Sequence, residues 1–160
     1  MNTVKEFKDW WYENNCPIQP PFCNSVFTTD IAYSLVLFRK DNYQVELYTC
    51  KPSTQAPFHS HPGVDSLFVY LTGNIEFGLP DETFTNTQYY QRAKKDGTHM
   101  LLGKESEAMD GAKHTLRVGD TGGAFLSFEK WDREPHSVTI NWKGESVGQE
   151  HEQTLKDKNG

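Results

Sequence analysis

At 160 residues, the chain fits a single domain large enough to bury a core without disulfide or metal staples. Ten Phe, seven Tyr and four Trp accompany short Leu, Ile and Val runs broken by Gly, Pro, Asn and Asp, the texture of an all-β domain with many turns. A formal net charge of −6 without a basic patch argues against nucleic acid or an anionic membrane as partner. No apolar run approaches the roughly 20 residues needed to span a bilayer. The opening M-N-T-V-K-E-F-K-D-W-W lacks the apolar stretch of a signal peptide, so a cytoplasmic protein is expected. Cys16, Cys23 and Cys50 form no C-x-x-C pair and read as reduced thiols, with Cys50 a small core residue.

Thr3 followed by Glu6 has capping-box spacing, and Val4, Phe7 and Trp11 form one stripe of a short helix that ends before Pro17. Pro17, Pro20 and Pro21 make the next stretch a connector, so residues 1–24 are expected to be helix and connector. Ile31 to Arg39 and Tyr43 to Cys50 read as a hairpin around Lys40-Asp41-Asn42. In its second strand Tyr43, Val45, Leu47 and Thr49 alternate with Gln44, Glu46 and Tyr48, as suits a barrel wall. Leu67 to Leu71 and Ile75 to Gly78 read as two strands about a turn at Thr72-Gly73-Asn74.

Leu79 to His99 is a long polar excursion, anchored by Tyr89 and Tyr90. His114 to Val118 and Gly123 to Phe128 read as a further pair of strands around Gly119 to Gly122, and Ser137 to Trp142 as the last. Residues 25–143 would then make the β domain and residues 144–160 a polar tail.

His59 and His61 stand two apart in an extended segment, so their side chains share a face and can hold one metal ion. His114 opens a later strand after a Gly-containing polar turn and is a candidate third ligand, with His136 its competitor. The frame around these residues resembles the cupin family. Cupins carry a Gly, five residues, H-x-H, three or four residues, Glu, six residues and Gly, then a second motif with Gly, P-x-G-x-x-H and Asn. Here His59, His61 and Gly73 match the first, with Ser53 for the leading Gly and Ser66 for the Glu; Gly103, Gly111 and His114 match the second, with Met109 for Pro and Val118 for Asn.

The resemblance implies a small cupin-type β-barrel, or jelly roll, with a short N-terminal helix. It implies a divalent metal held by His59, His61 and His114, iron first, with manganese, nickel or zinc as alternatives. Three neutral imidazoles on rigid strands leave positions open for water or substrate, whereas a structural zinc site wants four protein ligands. Ser66 leaves the site without its carboxylate; Asp65, the next residue, could replace it only through a bulge.

The cupin branch without this Glu resembles three-histidine iron dioxygenases. The expected function is a mononuclear non-haem metal enzyme acting on a small polar or anionic molecule. Alternatives are a redox-free metal-dependent lyase or isomerase and a non-catalytic small-molecule or sugar-binding cupin. Tyr70 and Tyr48 could offer a phenol to the substrate, and Arg39 and Arg117 could bind a carboxylate. Cupin barrels often pair through an edge strand, so a homodimer is a further expectation.

Overall fold

The computed structural model describes residues 1–19, 25–28, 31–57, 59–61, 63–80, 87–90, 100–102, 114–132, 140–141 and 151–154. Helix α1, Val4–Glu13, begins where the sequence says it should: the Thr3 hydroxyl accepts from the Glu6 amide at 3.1 Å, and Glu6 Oε2 accepts from the Asn2 amide at 2.9 Å. Its buried residues are Val4, Phe7 and Trp11, the predicted stripe. The Trp11 indole N–H donates to the Pro17 carbonyl at 3.0 Å and ties the connector to the helix. Among the described residues no helix is long and apolar enough to cross a membrane.

The strands are β1 (Ser25–Thr28), β2 (Ala32–Lys40), β3 (Tyr43–Cys50), β4 (His59–Ser60), β5 (Val64–Pro80), β6 (Thr87–Tyr90), β7 (Met100–Leu102), β8 (Thr115–Trp131), β9 (Ile140–Asn141) and β10 (His151–Thr154). The hairpin of β2 and β3 forms as expected, with Asp41 at φ 54° in its turn. The strand order is β10-β1-β2-β3-β8-β5-β6, with β7 also on β5, and all these pairings are antiparallel. β4 and β9 form a separate two-stranded sheet. Strand β10 lies within the stretch read as a polar tail and pairs with β1.

The expected closed barrel is not formed. Among the described residues the main sheet is open, with β10 at one end and β6 at the other, and each of these end strands is four residues long. Too few ladder positions exist on such short edges to carry pairing around a ring. Near the start of β8, isolated bridges join Gln55, in the segment before β4, to Arg117, and His59 of β4 to His114, just before β8.

Two expected turns are also absent. Thr72-Gly73-Asn74 and Gly119 to Gly122 lie inside the 17-residue strands β5 and β8, which pair along most of their lengths. Register shifts at Tyr70/Thr72 and Gly73/Ile75 mark bulges, and Gly73 faces Gly123 there at φ 90°. A Cβ on Gly73 would meet the Gly122 carbonyl oxygen at 2.2 Å and Gly123 Cα at 2.3 Å, so the two backbones approach as closely as glycine permits. The glycines bend one long ribbon and do not reverse it.

Alternation along β5 and β8 divides the core. On one face Leu67, Leu126 and Phe128 pack with Phe38, Tyr43 and Val45 against Val4, Phe7 and Trp11 of α1. Phe7 stands 4.9 Å from the Tyr43 ring, and burying such a side chain contributes about 1.5–3 kcal/mol. On the other face Phe68, Phe77, Phe125, Ile75, Leu116 and Val118 form a second cluster. This second face carries the histidines.

Candidate metal centre

The segment before β4 runs antiparallel to the start of β8. Val118 N–H donates to Thr54 O and Ala56 N–H to Leu116 O, both at 2.8 Å. Pro57 has no N–H and interrupts the ladder. It resumes one residue out of step, where the His59 amide donates to His114 O at 3.0 Å and the His114 amide to His59 O at 2.9 Å. On its other edge His59 is opposite Asn141 of β9. A directly opposed pair sends both side chains to one side, and His61, two residues on, follows His59.

The three expected ligands therefore converge. Their ring centroids lie 4.3 Å apart for His59 and His114, 5.0 Å for His59 and His61, and 5.3 Å for His61 and His114. One ligand nitrogen from each falls within 4.8 Å of the others. Metal–imidazole bonds of about 2.0–2.1 Å need those nitrogens roughly 3–3.5 Å apart. His114 is buried, while His59 and His61 are half-buried and form the accessible side.

His59 Nδ1 lies 2.7 Å from the Pro57 carbonyl oxygen. A carbonyl only accepts, so Nδ1 carries the proton and Nε2 is left as the ligand atom. Burial, the larger effect, pushes the His59 pKa down, and the bond to Pro57 opposes it. A ring kept neutral in this way is ready to bind a cation. The donor set fits a metal with open coordination positions: three imidazoles, no thiolate among the described residues, and a second-layer bond already in place. Cys50 is not among the grouped ligands, and burial pushes its thiol pKa up to about 12.

The remaining expected site residues are placed as follows. Between Val64 and Tyr70 the register with β8 is unbroken, so Asp65 stays on the Leu67 face and Ser66 on the Phe68 face. Asp65 is not among the grouped ligands. Tyr70 is on the Phe68 face with its hydroxyl donating to Gly73 O at 2.5 Å, and Tyr48 stacks on Phe125 at 4.9 Å. Arg39 Nε donates to Gln44 Oε1 at 2.5 Å. Arg117 pairs with Glu76 beside a cavity of about 390 Å³, on the face of β8 opposite His114. His136 lies outside the described residues.

Sequence reasoning missed two parts of this site. The Pro57 carbonyl holds the His59 tautomer, and a proline two residues before a histidine is the signal that could have found it. Phe68, whose ring is 6.0 Å from His114, forms the apolar wall behind the histidines. Its place two residues after Ser66 on the same strand face was the available clue.

Solved structures resemble this one. CapF in complex with the inhibitor 3-isopropenyl-tropolone superposes with TM-score 0.55 at 15% identity, over 72% of this chain and 33% of that one. The polyketide cyclase RemF from Streptomyces resistomycificus gives 0.51 at 18% identity, over 71% and 72% of the two chains. Oxalate decarboxylase from Lactobacillus farciminis, in its formate complex, gives 0.51 at 14% identity, over 73% and 33%. The chain has a cupin-type fold. It spans about a third of the length of CapF and of the oxalate decarboxylase. No protein-family model and no curated protein sequence matches it. Within this cupin fold the three histidines form a cluster able to coordinate a metal ion.

Proposed function

We propose that the chain is a mononuclear metal enzyme of the three-histidine cupin type, with iron as the resident ion and a small polar or anionic molecule as substrate. The observation that carries this reading is the convergence of the His59, His61 and His114 ligand atoms within 4.8 Å, with Nδ1 of His59 already bonded to Pro57 O. Bound iron would supply oxygen activation and a Lewis-acidic seat for a chelating substrate. The chain's own residues hold and orient. Pro57 fixes one imidazole, Phe68 closes the wall beside His114, and Ser66 leaves a coordination position that a carboxylate would otherwise fill.

Tyr70 and Tyr48 are the phenols assigned to the substrate in this reading. The Tyr70 hydroxyl donates to Gly73 O, which fixes the direction of the phenol. A second reading is a non-catalytic metal-loaded binding protein. It is favoured by the same feature, the absence of a carboxylate from the grouped ligands among the described residues.

Oxygen uptake by iron-loaded protein, with a panel of small chelating acids, thiols and diketones, separates the two. Consumption that the His61→Ala variant abolishes supports the dioxygenase. Tight binding of a panel member with no oxygen consumed and no product formed favours the binding protein, and anaerobic turnover would indicate a lyase or isomerase.

A further inference from the structure

The same sheet face carries a buried polar group that the metal reading does not use. Gln44 and Glu46 of β3 face Ser127 and Glu129 of β8, and all four are 2–4% exposed. Gln44 Nε2 donates to Glu46 Oε1 at 2.6 Å and to Glu129 Oε2 at 3.1 Å. Ser127 Oγ donates to Glu129 Oε1 at 3.2 Å, and the Trp131 indole N–H to Glu129 Oε2 at 2.9 Å. These bonds engage both oxygens of Glu129 and only one of Glu46.

Glu46 Oε2 and Ser34 Oγ have no hydrogen-bond partner, although both residues are 3% exposed. Ser34 is opposite Tyr48 on β2 and therefore diagonal to Glu46 on the same face. A buried carboxylate oxygen left unpaired costs more than a neutral group. A divalent ion is a poor fit, because among the described residues only the three histidines group enough ligands to hold one. The site asks instead for a compact cation with several N–H donors. Tyr48, two residues beyond Glu46 on β3, shares that face of the sheet.

We propose that Glu46 and Ser34 bind the ammonium group of a small amine. Tyr48 stacks on Phe125 at 4.9 Å, Phe125 meets Phe68 at 4.7 Å, and Phe68 meets His114 at 6.0 Å. The apolar body of the amine lies along these rings. That its far end reaches the metal rests on the reading above; the ammonium seat does not.

The test is an NMR titration of metal-free protein with n-butylammonium chloride and, at equal ionic strength, 1-butanol. The amine is expected to bind at least about tenfold tighter than the alcohol, with shifts at the Glu46 and Ser34 amides, a ratio worth about 1.4 kcal/mol. Glu46→Gln should remove that preference and Ser34→Ala weaken it, while His59→Ala/His61→Ala leaves it intact. Equal binding of amine and alcohol, binding of neither, or an undiminished preference in a folded Glu46→Gln variant overturns the proposal. Should Glu46→Gln not fold, the amine-to-alcohol ratio and Ser34→Ala decide it. Metal uptake by the histidines is read separately, so either site can fail while the other stands.

Discussion

His59 and His114 exchange both of their backbone hydrogen bonds, at 2.9 and 3.0 Å, across 55 residues of sequence. That pairing sets two imidazoles side by side before any metal arrives. Preorganisation of this kind lets a site bind without first ordering its ligands.

The tautomer bond gives a pH prediction. Burial holds the His59 pKa below the ordinary 6.5. As pH falls through about 6.5 the unfolded chain takes up a proton that the folded ring still refuses, so stability is lost as pH drops and is present above that value. Urea midpoints of metal-free protein should fall between about pH 7.5 and pH 5.5, and fall less in His59→Gln. Equal slopes in both proteins would remove His59 from the account.

Gly73 gives the sharpest prediction for the fold. A methyl there meets the backbone of Gly122 and Gly123 at 2.2–2.3 Å, and φ is 90°. Gly73→Ala should cost at least about 2 kcal/mol by denaturant unfolding, from strain and overpacking together.

Phe7 is fully buried between α1 and the sheet and contacts the rings of Phe38, Tyr43 and Phe128. Phe7→Ala should destabilise by about 3–5 kcal/mol, and Thr3→Ala, which removes only the helix cap, by about 1 kcal/mol. Both are measured by thermal or urea unfolding.

Cys50 is buried with its thiol pKa pushed up to about 12, whereas Cys16 is half-buried. Cys50 should stay unreactive toward a thiol reagent at about pH 8 until the protein is unfolded. Peptide mapping of labelled native protein checks this; rapid labelling of Cys50 would contradict its place in the core.

The sequence stated the helix well, because Val4, Phe7 and Trp11 encode a single stripe and Thr3 a single cap. It also stated the histidine triad, because a shared strand face and a shared motif frame are both local. It misread Gly73 and Gly122, since a glycine that bends a strand and one that reverses it leave the same mark. The sheet's failure to close was equally hidden, because closure depends on which edge strands meet. Gln44 and Glu46 read only as polar residues at period two, Glu129 falls just past the strand read over Gly123 to Phe128, and alternation alone does not say which face is covered.

Metal content of protein purified without chelator tests the central claim most directly. The account predicts about one transition-metal ion per chain, lost in each of His59→Ala, His61→Ala and His114→Ala while the fold persists. A wild-type protein that binds no metal when supplied with iron, manganese, nickel or zinc, or a triple variant that still binds one, would contradict it.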